Sequence, residues 1–189
     1  MSPRKGLDMP TILIQAAQLA DEQGFEYLSL GELAKRLGIR PPSLYNHVEG
    51  LHDVKHKLAV YGLQRLHAQL LQAAAGRSGG EAVRAVSMAY IDFVRNHPGL
   101  YDATCSIQDR GDEELHQAQN RVVELVVQVL QTYRLTEDVM LHAVRALRSM
   151  LHGFASIEQT GGFGLPLDLD TSLYFMMDTF IGGMESKKV

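Results

Sequence analysis

Apolar residues along this chain recur every three to four positions, the period of a helix with one buried face. Nowhere do they alternate in turn-bounded runs, as half-buried strands do, so the pattern predicts no sheet. A first helix is predicted over residues 10–23, where Ile12, Ala16, Leu19 and Ala20 form a stripe and Gly24 stops it. Phe25 and Leu28 then close a small core. A long helix follows over residues 51–74, with Val54, Leu58, Tyr61 and Leu66 along one side. The GRSGG stretch at 76–80 is the clearest break in the chain. Beyond it the pattern gives a helix over 81–96 (Val83, Val86, Tyr90, Phe93, Val94), stopped at His97-Pro98-Gly99, and a short one over Leu100–Ile107. After a polar turn, QDRGDEE, come a helix over 112–133, one capped by Thr136 and running to Gln159, a loop over 160–170, and a last helix over 171–185.

Between the first helix and the long fourth one, residues 29–54 carry the most specific pattern. Ser29 and Glu32 have the spacing of a capping box. Leu33, Ala34 and Leu37 share a face, and Gly38 ends that helix because glycine tolerates a positive φ. Ile39 returns to the core, and Pro41 and Pro42 suit the first turn of the next helix, where a missing N–H costs nothing. With Leu44 and Val48 inward, a step of about 100° per residue turns Pro42 and Asn46 outward, with Ser43 and Tyr45 on the flanks. Helix, glycine turn and short second helix make a helix-turn-helix. Its outward face carries no acid. Asn46 has the groups to pair with adenine, proline carbons can touch a thymine methyl, and Arg40 can reach a guanine or a phosphate. Alone, such a pattern can also be two packed helices and nothing more.

This stretch resembles the DNA-binding domain of the TetR (tetracycline repressor) family of transcription regulators. The family pattern LA..LG.....LY.H is present as Leu33-Ala34, Leu37-Gly38, Leu44-Tyr45 and His47. Together with the upstream helix the resemblance covers about the first third of the chain. It implies that Tyr45 and His47 contact the DNA backbone. One position departs from the pattern: many members carry a phosphate-gripping lysine near the start of the fourth helix, where this chain has Leu51, preceded by Glu49; Lys55 is a candidate substitute. The candidate DNA contacts are Ser29, Arg40, Pro41, Pro42, Ser43, Tyr45, Asn46, His47 and Lys55. More loosely, Asn96-His97-Pro98-Gly99-Leu100-Tyr101 and Leu151-His152-Gly153-Phe154-Ala155 look like C-terminal domains of one subtype of the family, whose last two helices pair with their copies as a four-helix bundle.

Composition narrows the alternatives. The 189 residues carry a net charge of −4, which does not advertise a nucleic-acid binder. Residues 1–60, however, hold seven Lys/Arg and seven Asp/Glu, so the acidity lies outside the proposed reading head. Arg4 and Lys5, ahead of the first helix, are either a solvated tail or a further backbone contact. No apolar run of 18 residues predicts a membrane span, and the N-terminus has no apolar stretch of the signal-peptide kind. A single cysteine, Cys105, allows no internal disulfide and fits the cytoplasm; it reads as a small buried hydrophobe. His52 and His56 are four apart, but the third ligand of a zinc site is missing, and the acids at Asp112, Glu113 and Glu114 suit a helix N-terminus without metal. No nucleophile elbow, Walker loop or dinucleotide fingerprint appears, so neither a catalytic residue nor a cofactor is expected.

In the C-terminal part, methionines gather on the last two helices. Core filling, a ligand wall and a dimer seam are all open readings, of which the seam is favoured. Leu147, Leu151, Phe154 and Ile157 would meet Met177, Phe180, Ile181 and Met184, and Gly153 would allow close approach. A ligand pocket is expected between the fourth helix and the helices at 81–133, with Tyr61, Tyr90, Phe93, Tyr101 and Met150 as candidates for an aromatic or lipophilic effector. Gly62, inside the fourth helix, either permits close packing or acts as a hinge. The expected protein is all-α, with about nine helices. A three-helix DNA-binding head over 1–56 would precede a larger helical ligand-binding and dimerisation domain over 57–189. The expected function is that of a homodimeric, cytoplasmic repressor that binds a palindromic double-stranded operator, is released by a small-molecule effector, is no enzyme and has no membrane partner. The rival is a helical enzyme or ligand-binding protein that never touches DNA, supported by the acidic balance and Leu51.

Overall fold

A computed structural model describes residues 7–107 and 112–187. Arg4, Lys5 and residues 108–111 of the polar turn lie outside the described residues. The described residues form an all-α protein with nine α-helices and two 3-10 turns: α1 (Met9–Gln23), a 3-10 turn (Phe25–Tyr27), α2 (Leu30–Arg36), α3 (Pro41–Leu44), α4 (Leu51–Ala74), α5 (Gly79–Asn96), α6 (Pro98–Ser106), α7 (Glu113–Leu130), a 3-10 turn (Gln131–Tyr133), α8 (Glu137–Gln159) and α9 (Leu169–Glu185).

Local chemistry sets most of these boundaries. Asp8 caps α1 by accepting from the Thr11 amide at 2.9 Å, with Pro10 in the first turn. Ser29 Oγ accepts from Glu32 N at 3.3 Å, half of the capping box; the Glu32 carboxylate turns to Lys35 at 3.6 Å. Gly38 sits at φ +67, where a side chain would be strained, and turns the chain from α2 into α3. The second helix of the motif is shorter than the pattern predicts: α3 is a single turn that tightens after Leu44, whose carbonyl accepts from both His47 N and Val48 N. Thr136 stands at the cap of α8 without a capping bond from its hydroxyl, whereas Asp168 starts α9 two residues earlier than the pattern predicts by accepting from Thr171 N at 2.7 Å.

Packing divides the chain into two compact units, residues 1–64 with 97–118, and residues 65–96 with 119–189. In the first, α1 packs against α2 and along α6, and α2 packs on α3. Ile12, Ala16, Leu33, Leu44, Val54 and Leu58 are fully buried there. The α1–α6 contact is a backbone contact: a Cβ on Gly99 would overlap the carbonyl oxygen of Ala20. Asp21 reinforces it, accepting from Leu100 N at 2.8 Å and lying 3.1 Å from His97 Nδ1, so α1 caps a helix whose own N-cap side chain makes no capping bond. On α4, a Cβ at Gly62 would lie 2.7 Å from Thr104 Cγ2 and 3.1 Å from the Leu100 carbonyl, which is the close-packing environment. In the second unit α5 packs against α8 and α9. Arg95 ties them at the surface, reaching Glu158 at 2.8 Å and Asp170 at 2.7 Å.

Candidate nucleic-acid interface

The reading surface is built around one buried side chain. Leu44 is fully buried, and burying a leucine contributes about 2 kcal/mol. With Leu44 inward, Arg40, Pro41, Pro42, Ser43, Tyr45 and Asn46 are all exposed, so six of the nine candidate DNA contacts are open to solvent, and none of them is an acid. Tyr45 is 59% exposed, with no partner among the described residues. His47 is half-buried beside it.

The remaining two candidates are partly engaged. Ser29 uses its hydroxyl as the cap of α2. Lys55 holds its ammonium 4.7 Å from the centre of the Phe25 ring, a cation–π contact. The other cations of the head are committed too. Arg36 makes two 2.6 Å hydrogen bonds to Glu22 and a third to Gln15, bracing α2 on α1 and holding the Glu22 carboxyl below its usual range. Lys57 pairs with Asp53, which also accepts from the Glu49 amide at 3.0 Å and so closes the turn into α4. Burial pushes the Asp53 carboxyl up, but these hydrogen bonds and the charges of Lys57 and His56 outweigh it and hold it below the usual range. Among the described residues of the head, Arg40 is the one Lys or Arg without a partner. Leu51 is half-buried and brings no charge. His52 is exposed; His56 is turned inward, its Nε2 3.1 Å from Asp112 Oδ2 but without hydrogen-bond geometry.

The second unit holds the candidate dimer seam. Leu147, Leu151, Phe154, Met177, Phe180, Ile181 and Met184 are each less than a tenth exposed within the single chain, and Phe154 packs tilted against Phe163, ring centres 4.9 Å apart. These seven are packed in the core of their own unit; of the eight, Ile157 is exposed, at 44%. On the opposite side of the same helices, Ala146, Ser149 and Ser156 of α8 and Phe175, Thr179 and Gly182 of α9 are exposed, Phe175 at 75%. Gly153 and Gly182 have open space where a Cβ would stand. The hydrophobic period did not single out this face; its signal is small residues at 146, 149, 153 and 156, spaced three and four apart.

The five side chains read as an effector wall are divided. Tyr61 and Tyr101 belong to the first unit, and Tyr90, Phe93 and Met150 to the second. Tyr90, Phe93 and Tyr101 are buried; Tyr61 and Met150 are half-buried. A separate open groove of about 350 Å³ runs between the end of α4 and α5, lined by Gln69, Gln72, Ala73, Arg77, Ala85, Met88, Ala89 and Asp92, and shares none of the five. None of the described helices is long and apolar enough to cross a membrane.

Comparison with known proteins bears on both units. Residues 12–47 match the family described as bacterial regulatory proteins, tetR family, and residues 83–180 match the tetracyclin repressor-like C-terminal domain. The chain is 37% identical over 186 residues to the uncharacterized HTH-type transcriptional regulator YobS of Bacillus subtilis, covering 97% of this chain and 96% of that protein. A second uncharacterized HTH-type transcriptional regulator, from Mycobacterium tuberculosis, is 32% identical over 184 residues, covering 96% of this chain and 83% of that protein. Among solved structures, a protein of unknown function from Rhodococcus sp. RHA1 superposes with a TM-score of 0.83 at 20% identity, covering 97% of this chain and 98% of that one. A TetR variant from Acinetobacter baumannii in complex with minocycline does so at 0.73 and 20%, covering 97% and 99%. At such identities these two share the fold.

Proposed function

Because the chain belongs to the tetR family of bacterial regulatory proteins and is a DNA-binding transcriptional regulator, we propose that it is a homodimeric, cytoplasmic repressor released from a palindromic operator by a small-molecule effector. The head is residues 1–56, and its contacts are Arg40, Pro41, Pro42, Ser43, Tyr45, Asn46 and His47, with Ser29 and Lys55 at the margin. The observation that carries the reading is the acid-free exposed face of α3 over a fully buried Leu44. Two such heads on a dimer enter successive major grooves about 34–36 Å apart.

The dimer seam is placed on the exposed face of α8 and α9, around Ser149, Gly153, Ile157, Phe175, Thr179 and Gly182. A glycine inside a helix costs about 1 kcal/mol relative to alanine, and Gly153 and Gly182 meet nothing among the described residues that would require it; the close approach of a partner helix supplies the reason. The effector is aromatic or lipophilic and is held in the C-terminal domain, residues 57–189, whose aromatic side chains include Tyr90 and Phe93. An effector that favours a different head spacing weakens DNA binding, and DNA weakens effector binding by the same factor.

The test is a footprint on the DNA flanking the protein's own coding region, which should show two half-sites one helical turn apart. Tyr45→Ala should weaken binding to every duplex, since its partner is backbone. Asn46→Ala should instead relax preference at one base pair per half-site, by about 1–3 kcal/mol. Equal weakening by Asn46→Ala on all sequences removes it as a base reader, and no footprint with steeply salt-dependent binding to any duplex removes operator recognition.

A further inference from the structure

The loop between α8 and α9 is held more firmly than its three glycines imply. Gly161 stands at φ +68 and its amide donates to the Glu158 carbonyl at 3.0 Å. The Gly162 amide donates to the Ile157 carbonyl at 2.8 Å, so two bonds close the end of α8. A Cβ at Gly162 would lie 2.9 Å from Ile157 Cγ2, which is why a glycine is needed there. Phe163 then packs against Phe154. At the far end Asp168 accepts from both the amide and the hydroxyl of Thr171 at 2.7 Å and starts α9. Between these anchors the Leu167 amide donates to the Leu165 carbonyl at 2.8 Å, closing a tight turn about Pro166. The tip so fixed is apolar and open: Leu165 is 75% exposed and Leu167 69%, with Pro166 exposed between them.

Neighbouring large apolar side chains held out by an ordered turn mark a contact surface, and a tip already fixed in shape loses little entropy when it is covered. Charge and area identify what covers it. Residues 149–186 hold five acids and no Lys or Arg. An anionic lipid surface draws on Lys and Arg and does not fit such a stretch. A second copy of the chain does. Glu158 and Asp170 are paired with Arg95, and Asp178 with Arg84, so three of those acids are neutralised before a like surface approaches. The exposed face of α8 and α9 also needs an addition. Its serines, glycines and alanine let helices come close but carry little apolar area beside Phe175 and Ile157, whereas a stable interface takes about 800 Å² from each partner. We propose that Leu165, Pro166 and Leu167 form a preformed knob that packs against the second copy of the chain, so that each copy clasps the other beside the α8–α9 seam. This rests on the homodimer and the seam proposed above, and adds to them a segment that belongs to neither helix.

The chain has no tryptophan, so Leu167→Trp gives it a single reporter at a position that is open in one copy. The full-length variant is followed by light scattering and by acrylamide quenching of that tryptophan. Quenching should be slow in the dimer and fast in the monomer, reached by dilution or by adding Phe175→Glu. A Leu167→Trp protein that is monomeric where the parent is dimeric places residue 167 in the contact equally well. In the second arm, Leu165→Ser with Leu167→Ser should leave the fold intact, since both positions are exposed. It should raise the dimer dissociation constant about a hundredfold or more, because two leucines per copy lose their cover. A dimer whose tryptophan is quenched as fast as the free amino acid, or an unchanged dissociation constant for the double variant, overturns the knob and leaves the homodimer standing. Protection that appears only on adding phosphatidylglycerol vesicles overturns it in favour of a lipid surface. A parent protein that is monomeric at every concentration overturns the homodimer, and the knob with it.

Discussion

The face of α3 in the head and the face of α8 and α9 in the second unit are both exposed, but the sequence signals them in opposite ways. Around α3, spaced motif positions identify the helix, and the one inward residue, Leu44, fixes which side faces out. On α8 and α9 the strongest signal is the apolar repeat of Leu147, Leu151, Phe154, Met177, Phe180 and Ile181, and all of it is spent inside the chain. The face left for a partner is small and mixed: Ser149, Gly153 and Gly182, with Phe175 standing 75% exposed among them. An apolar helical period reports burial, and a chain's own core claims it first. An intermolecular face must be sought among what that core leaves over.

The largest effect should come from exchanging the two faces of α8 and α9. Phe154→Glu places a carboxylate among buried apolar neighbours beside Phe163, and should cost about 4 kcal/mol or more, enough to unfold a marginal chain. Phe175→Glu, in contrast, should leave the melting temperature of a monomer near that of the parent while converting the dimer to monomer. Melting curves and light scattering on the two variants separate the faces. A folded monomer from Phe154→Glu, or an intact dimer from Phe175→Glu, would reverse the assignment.

Much of the fold is legible in the sequence. The limits of α4, the Gly24 and Gly38 stops and the inward positions of Ile12, Leu33, Leu44 and Leu58 follow from period and punctuation alone. The rest depends on contacts distant in sequence. Nothing near residue 100 announces that α6 is capped by Asp21, 79 positions away, or that it belongs to the head's compact unit. The HPG stop at 97–99 is legible as a helix break, yet it also opens the next helix, with Gly99 fitted to the Ala20 backbone. The candidate contacts of the head are legible as a set, but not which cations are already paired, because Arg36 finds Glu22 on another helix and Lys55 the Phe25 ring 30 positions away.

An intermediate effect should come from Gly62, which tests how tightly the head's unit is closed. Alanine gains about 1 kcal/mol over glycine inside a helix, and overpacking costs about 1–3 kcal/mol. Part of the new contact is the Leu100 carbonyl, which cannot rotate away, so the net result should be a loss of up to about 2 kcal/mol on that balance. The double variant Gly62→Ala with Thr104→Ser, which removes the nearer methyl, should recover part of it. A Gly62→Ala protein more stable than the parent would mean that α4 and α6 are not packed this closely, and would restore the hinge reading of this glycine.

The smallest effect compares two aspartates that close turns in the two units. Asp53 receives Lys57 and the Glu49 amide; Asp168 receives the Thr171 amide and hydroxyl. Both carboxyls are held below their usual range, Asp168 by hydrogen bonds from Thr171, Asp53 by its hydrogen bonds and neighbouring charges against the opposing pull of burial. A carboxyl lowered on folding stabilises the native state at pH values above its unfolded value, near 4 for an aspartate, and that contribution fades as pH falls through the lower folded value. Asp53→Ala should therefore cost on the order of 1 kcal/mol at pH 7, the scale of a cap with a partly screened ion pair. Urea melts of parent and variant should draw together progressively below pH 4. Asp168→Ala should follow the same direction with pH, but its carboxylate is held mainly by Thr171, with the charge of Arg95 the smallest contribution, so added salt should reduce the Asp53 effect more than the Asp168 effect. An Asp53→Ala deficit that persists undiminished at pH 3 would show that its packing, and not its charge, closes the turn between the reading helix and α4.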